Sequence, residues 1–424
     1  MFSAPHPRYR IYTRLNSYLS LLKDLILGRI NKGQDVEKLE KALAKKFEIP
    51  HTVCVPMNRV GIYLALKHSI KPGQRVIMSP YNLVDVVNMV ICAKGIPVFA
   101  DIEQQSCNID PAKIEQLIDK NTGAVLITHL HGIKARSHEI LRICRKHNLP
   151  LIEDAAQAFG ACEKGKRLGT IGDVGIYSFG MYKNINSWYG GAVVSKNKDL
   201  IDKIRSELNQ YDYQKTGFIL KRMLEGMVND ILTHPFIFKP LTYWIFRYGF
   251  LHDIRWINKR VETELDTSRR DKIPFHYLAR FTPFQARLAL SQLNRIDPEN
   301  KIRIQKANLY HKGLQGIPDL VLPPASPQGE PKANNSSYIY AYFPIQYKNQ
   351  KKLLKWLMKH KRDVAAQHLK NCADLPGFSA FKWECPIACK TAKEVIILPN
   401  YPRYPDSEVE KNIKVIQSYF KKHK

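Results

Sequence analysis

Between residues 52 and 147 short apolar runs alternate with amphipathic stretches almost without a break, and that beat leaves few folds open to the chain. Runs of strand length lie at 52–56, 75–79, 97–101 and 124–128. The stretches 59–68, 81–94, 110–118 and 137–147 carry apolar residues at helical spacing. Strands joined through helices run parallel and need helices on both faces, so the expected fold class is α/β with a mostly parallel, doubly wound sheet. Ligands of such sheets bind outside the carboxyl ends of the strands, where helix N-termini offer backbone amides to a phosphate.

The next stretch, 151–195, brings chemistry to those ends. Leu151-Ile152-Glu153-Asp154 reads as a buried strand whose last residue delivers a carboxylate. Val174-Gly175-Ile176-Tyr177-Ser178-Phe179 reads as a second strand, and the turn after it presents Lys183. An acid and a lysine at neighbouring strand ends can sit on opposite sides of one small ring, which is what pyridoxal 5'-phosphate (PLP) requires. Its pyridine nitrogen must stay protonated for the ring to act as an electron sink, so a carboxylate has to lie against it; Asp154 is the candidate. Its aldehyde carbon needs an amine of lowered pKa that bonds to it, yields to substrate and then shuttles a proton; Lys183 is the candidate. Gln157 is placed to offer its amide to the phenolic oxygen, and Ser178 its hydroxyl to the phosphate. The plainer alternative makes Lys183 one more solvated lysine.

Asp154-Ala155-Ala156-Gln157-Ala158, then Ser178-Phe179-x-x-x-Lys183 and Gly190-Gly191, resemble the DegT family of PLP-dependent sugar aminotransferases, which have the aspartate aminotransferase fold. Val36-x-x-Leu39-Glu40-x-x-Leu43-Ala44, the run 97–102, His129-Leu130-His131-Gly132 and the run 285–293 fall in the family's order. The resemblance implies a PLP-binding α/β large domain, a smaller α+β C-terminal domain, and a homodimer with shared active sites. It also implies transfer of an amino group, with glutamate as donor, to a nucleotide-linked keto-sugar. The setting would be cell-surface polysaccharide, such as lipopolysaccharide, or secondary-metabolite biosynthesis. His129 either lines the site or is a packed core histidine, while Tyr182, Trp188 and Tyr189 are candidates for touching substrate.

The chain also departs from that pattern. Where the family has Ser-Gly-Thr at the first strand-to-helix junction, this chain has Met57-Asn58-Arg59. Arg59 could grip the phosphate in bidentate fashion or fill the space it needs. The aromatic residue that stacks on the cofactor ring falls at Leu83, with Tyr81 as a substitute two residues away. The family's Gly-Glu before the paired glycines is Trp188-Tyr189, and the asparagine lent by the partner subunit aligns with Leu278. Two rival readings follow: a degenerate member that binds sugar or cofactor and regulates or scaffolds, and a PLP-dependent sugar dehydratase, although dehydrating relatives often lack the lysine.

The charge balance, 66 Lys+Arg against 38 Asp+Glu for a net +28, attracts anionic partners. A nucleotide-sugar diphosphate, an anionic membrane surface and nucleic acid are all compatible with it. No helix-turn-helix, zinc-finger or aromatic RNA-binding signature accompanies the charge, so no specific nucleic-acid partner is expected. Eight scattered cysteines make no disulfide framework. His368, Cys372, Cys385 and Cys389 have a spacing open to zinc but fall where the resemblance implies ordinary packing, and no metal is expected. The run 160–167 resembles a nucleotide-phosphate loop, yet it has Arg167 where Ser or Thr must meet magnesium; it reads as a polar hairpin. Residues 1–14 are basic and lack an apolar core, which points to the cytoplasm.

The expected organisation is an N-terminal arm and helix (1–35), a large domain (36–210), a basic aromatic-rich helical insertion (211–274) and a small α+β domain (275–424) with a Pro-rich connection at 318–331. The first helix, 12–32, is expected to pack beside the small domain, and substrate to bind in the cleft between the domains. Within the insertion, Asp230, Lys239, Pro240 and Arg247 interrupt every run that approaches the about 20 apolar residues a membrane span needs. The segment 217–260 either packs on the protein or its dimer partner, or lies on the inner face of a membrane with Trp244, Phe246 and Phe250 in the interface.

Overall fold

The computed structural model describes residues 4–11, 13–258, 266–326 and 337–423. Tyr12 at the start of the first expected helix, Lys259 and Arg260 of the basic segment, and the end of the Pro-rich connection lie outside the described residues. Seven strands build the main sheet: His51–Val55 (β1), Arg75–Met78 (β2), Ile96–Phe99 (β3), Thr122–Thr128 (β4), Leu151–Asp154 (β5), Val174–Ser178 (β6) and Gly191–Ser195 (β7). Their order is β1-β7-β6-β5-β4-β2-β3. β7 runs antiparallel to both neighbours, and the remaining pairs are parallel. Every residue of β4 and β5 is buried, because helices cover both faces; that is why these strands read as continuous apolar runs. β5 is the central strand, so Asp154 at its end lies in the middle of the sheet's carboxyl edge.

The helices that matter for the site are Leu15–Ile26 (α1), Asp35–Phe47 (α2), Asn58–Ser69 (α3), Val84–Cys92 (α4), Pro111–Leu117 (α5), Ser137–Lys146 (α6), Lys198–Leu208 (α7) and Thr216–Leu232 (α8). Val53 and Val55 of β1 point into the cluster that α3 and α4 cover, while Cys54 between them points into the cluster that α2 covers, as a two-residue period demands. On the α2 side Phe47 stacks on Tyr177 with ring centroids 4.3 Å apart.

The expected helix at 81–94 starts late. Tyr81–Asn82 instead pairs with Lys370–Asn371, and Asn82 is pinned by its amide to Thr128 Oγ1 at 2.9 Å and by its Oδ1 to the Leu83 amide at 2.8 Å. Those polar bonds override the helical periodicity until Val84. The helix Pro283–Leu290 packs on α2 rather than on the small sheet, and Ile296–Leu314 follows after a short tight turn. The small sheet has the order Phe343–Gln346, Val395–Leu398, Ala365–Ala366, all antiparallel. Residues 338–342 stay outside it, with Tyr340 at φ 45°.

α1 packs against α8 and against the helix Pro283–Leu290 at the start of the expected small domain, where Leu21, Ile219, Met223, Trp188 and Phe284 form a separate buried cluster. Arg287 fixes it through Asp24 at 2.6 Å, and the Tyr18 hydroxyl donates to Asp230 of α8 at 2.9 Å. The insertion continues through a wide helical turn, Phe238–Thr242, around Pro240, which has no amide to donate, and then the helix Tyr243–Leu251. Tyr243 Oη and Arg247 Nε both donate to the Met358 carbonyl at 3.0 Å, so this helix is tied to the small domain. Trp244 and Phe250 pack partly buried there, while α8 leaves Leu224, Met227, Val228, Ile231 and Leu232 exposed on its outer face. Among the described residues no helix is long and apolar enough to cross a membrane.

Candidate active site

Glu153 and Asp154 are adjacent on β5 and therefore serve opposite faces. Glu153 turns inward. Its Oε2 meets His129 Nε2 and Ser137 Oγ at 3.0 Å each, and its Oε1 accepts from the Ile171 and Gly172 amides at 2.8 and 2.6 Å. His129 is fully buried and its Nδ1 accepts from the Ala135 amide at 3.2 Å, which leaves the proton on Nε2 for Glu153. His129 is therefore a packed core histidine and not a substrate contact.

Asp154 turns toward the open edge. Its Oδ1 accepts from Asn58 Nδ2 and from the Ala156 amide, both at 3.0 Å. Burial raises its proton affinity, and Asn58, Ala156 and the charge of Lys183 work the other way. Lys183, on the turn after β6, is shifted down: burial disfavours its charge, Asp154 supports it, and Arg59 repels it. The acid and the lysine thus feel each other, and burial outweighs their attraction on both sides.

Gln157 Oε1 accepts the His131 amide at 2.8 Å, which fixes the side chain and leaves Nε2 as its donor. Ser178 closes β6 half-buried, its Oγ 3.4 Å from the Gly180 amide. Asn58 and Arg59 open α3, whose first amides have no capping side chain and so stand ready for an anion. These donors, with Asp154 and Lys183, are the set a phosphorylated pyridine needs, and the residues present fit PLP.

The Arg59 guanidinium is held in an ion cluster. It contacts Asp85 and lies 3.0 Å from Tyr277 Oη, while Arg270 pairs with the same Asp85 at 2.7 Å. Burial works against the Arg59 charge, and Asp85 and Tyr277 more than offset it. Leu83 is half-buried ahead of α4. Tyr81, offered as its substitute, is fully buried in the core, and its hydroxyl finds no partner among the described residues; it presents no face for stacking. Trp188 is corrected too. Its indole lies between Tyr18 and Phe284, at centroid distances of 5.9 and 5.8 Å, and a Cβ on Gly226 of α8 would come within 3.2 Å of its Nε1. That tryptophan anchors α1 and α8. Tyr189 is half-buried and its hydroxyl accepts from Arg222 at 2.8 Å; Tyr182 is exposed, accepting from Asn229 of α8 at 3.0 Å.

Lys183 and Tyr182 open into a cleft walled by the N-terminal segment 8–11, the helix Ile296–Leu314 and residues 400–403. Sequence reasoning missed several of its residues, Arg295, Arg303 and Arg403 among them, because their segments come together only in the fold. It also singled out His129 over His131, whose buried ring meets Gln367 Nε2 at 3.4 Å and whose pKa falls to about 3 through burial and then the neighbouring His368. Among the described residues no three His, Cys, Asp or Glu side chains converge to hold a metal.

The model of the DegT/DnrJ/EryC1/StrS aminotransferase family matches residues 20–225 and 255–417, and the gap falls within the helical insertion. The chain is 30% identical over 297 residues to the spore coat polysaccharide biosynthesis protein SpsC of Bacillus subtilis (strain 168), covering 70% of this chain and 66% of that one. It is 25% identical over 397 residues to the GDP-perosamine synthase of Vibrio cholerae, covering 92% of each. A crystal structure of a DegT DnrJ EryC1 StrS aminotransferase from Brucella abortus shares the fold with a TM-score of 0.73 at 20% identity, over 95% of each chain.

Proposed function

Because the chain belongs to the DegT/DnrJ/EryC1/StrS aminotransferase family, and is on that ground a PLP-dependent aminotransferase of the sugar-modifying kind, we propose that it moves an amino group from glutamate to the keto group of a nucleotide-linked sugar. The observation that carries this reading is the placement of Asp154, buried at the end of β5, and of half-buried Lys183 on the turn after β6, where each bears on the other's proton affinity. In this reading Asp154 lies against the pyridine nitrogen, Gln157 Nε2 donates to the phenolic oxygen, and Leu83 covers a ring face. Ser178 and the first amides of α3 hold the phosphate. When bound, PLP supplies an electron sink for the carbon that loses a proton. Lys183 Nζ, its charge disfavoured by burial and by Arg59, takes that proton from the donor's carbon and returns one to the acceptor's carbon.

The reading includes a homodimer with shared sites working in the cytoplasm, with the insertion available to meet a membrane. The name of SpsC supports a place in cell-surface polysaccharide biosynthesis. The test is a spectrum. Purified protein is expected to show the visible absorbance of bound PLP, to lose it on adding glutamate, and to lack it in Lys183→Ala. A colourless protein that takes up no PLP would overturn the assignment.

A further inference from the structure

Two arginines beside the start of α3 share one carboxylate. Arg59, in the first turn of α3, contacts Asp85 Oδ2 through Nη1, and Arg270 Nη1 donates to the other oxygen, Oδ1, at 2.7 Å. Tyr277 Oη accepts from both guanidiniums, at 3.0 Å from Arg59 and 3.1 Å from Arg270, and the Tyr277 ring lies against Arg59 with its centroid 5.3 Å from Cζ. These bonds all use Nη1 of Arg59; among the described residues its Nε and Nη2 make no hydrogen bond. That edge is the one through which a guanidinium meets two oxygens of a phosphate at once. A guanidinium braced from behind by a carboxylate and a phenol, with its fork left over, is set for an oxyanion. The fork also stands in the right place. The amides that open α3 have no capping side chain, and the charge of Arg59 reaches Lys183 and lowers its proton affinity.

The same cluster fastens a stretch of chain to α4. Asn88 donates through Nδ2 to the Ser268 carbonyl and accepts the Arg270 amide on Oδ1, at 3.0 Å each, while Arg270 Nη2 pairs with Asp266 at 2.7 Å. Arg59 and Arg270 repel each other across Asp85, and Asp266 is exposed, so water screens its help. A dianion at the Arg59 fork offsets that repulsion and favours the contacts of Arg270 and Tyr277.

We propose that Arg59 grips the cofactor's phosphate through Nε and Nη2, and that this grip fastens residues 266–277 as a strap beside the site of their own chain, so that phosphate, and not the pyridine ring, closes it. This rests on the PLP reading above and adds to it, since Arg59 and Leu278, which follows the strap, are both departures from the family's pattern.

The experiment compares PLP with pyridoxal, the same ring and aldehyde without the phosphate, by absorbance titration of the apoprotein, and follows hydrogen exchange of the amides in 266–277. Arg59→Gln is expected to weaken PLP roughly tenfold or more while leaving pyridoxal within about twofold, and Arg59→Lys, which keeps the charge but loses the fork, to fall between. Arg270 stays on Asp85 in both variants, and retained pyridoxal binding shows that they are folded. PLP and inorganic phosphate are each expected to slow exchange in 266–277 roughly fivefold in the wild type. Pyridoxal is expected not to, and neither ligand to do so in Arg59→Gln. An Arg59→Gln protein that binds PLP like the wild type would leave the phosphate to Ser178 and the α3 amides and overturn the proposal. A loss of PLP and pyridoxal together would overturn it as well, because Arg59 would then frame the whole site. So would exchange in 266–277 that phosphate leaves unchanged or speeds, the latter showing that phosphate draws Arg59 off Asp85. A wild type that takes up neither PLP nor pyridoxal would sink the aminotransferase reading, and the response of 266–277 to inorganic phosphate alone would then decide this proposal.

Discussion

The Asn58 side chain donates to Asp154 Oδ1 across 3.0 Å, so the residue that opens α3 and the residue that closes β5 form one hydrogen-bonded unit. The glycine of the family's pattern would leave that oxygen with the Ala156 amide alone. The bond lowers the proton affinity that burial raises, and it therefore prepares a carboxylate for a protonated pyridine. Asn58→Ala is expected to raise the Kd for PLP roughly tenfold, about 1.4 kcal/mol, in the range of one hydrogen bond to a charged group. Spectroscopic titration of the apoprotein reads this directly, and an unchanged Kd would show that Asn58 does not prepare Asp154.

The depressed proton affinity of Lys183 has a pH signature. Between its folded value and its unfolded value near 10.4 the unfolded chain binds more protons, so stability rises with pH through that window. The burial of its charge is a cost at neutral pH that fades as the amine deprotonates. Apoprotein carrying Lys183→Met is expected to melt above the wild-type apoprotein at pH 7, with the gap closing as the pH approaches 10. A gap that widens with pH would reverse the assigned shift.

The parts of this site that the sequence displays are those a strand delivers within a few residues: Asp154, Gln157, Ser178 and Lys183 all lie on β5, β6 or the turns that follow them. Local periodicity places such residues, because a buried parallel strand has one open end. Trp188 and His129 look like site residues in the chain because polar and aromatic groups beside a catalytic lysine invite that reading. Only packing shows that Trp188 lies between Tyr18 and Phe284, and that His129 belongs to Glu153. The cleft arginines were illegible for the converse reason. Arg295 and Arg403 are more than a hundred residues apart in sequence and share a wall only once the two ends of the small domain have folded together.

The inward face of β5 gives a test of structure without chemistry. Glu153 keeps its charge in full burial: burial raises its pKa, and the bonds from His129 and the backbone amides lower it further than burial raises it. A depressed carboxylate contributes stability that is present above its unfolded pKa, near 4.3, and is lost as the pH falls through the folded value. His129→Leu removes a buried partner and is expected to cost ~3–5 kcal/mol, with acid unfolding setting in at higher pH. Chemical denaturation at pH 7 and pH 5 measures both effects. At temperatures where the variant stays folded, its Kd for PLP is expected to remain within about twofold of wild type; a larger change would return His129 to the site.

The outer face of the insertion demands a cover. Leu224, Met227, Val228, Ile231 and Leu232 follow one another at helical spacing on α8, and α1 beside it exposes Leu15, Leu19, Leu22 and Ile26, Ile26 to 85%. Contiguous apolar surface of this kind marks a contact with another molecule. Asn229 on the same helix bonds Tyr182 at the mouth of the site, so whatever covers α8 also borders the active centre. A second copy of the chain and a lipid surface differ in the sign of their salt dependence. Two copies that each carry +28 repel, and salt screens the repulsion while leaving apolar burial intact, so self-association through this face is expected to tighten as salt rises. Docking on anionic lipid weakens with salt instead. Val228→Glu with Ile231→Glu is expected to weaken self-association at least tenfold in sedimentation equilibrium, and to leave anionic vesicle binding negligible in both proteins. Vesicle binding by the wild type that is lost in the variant and at high salt would assign the face to lipid.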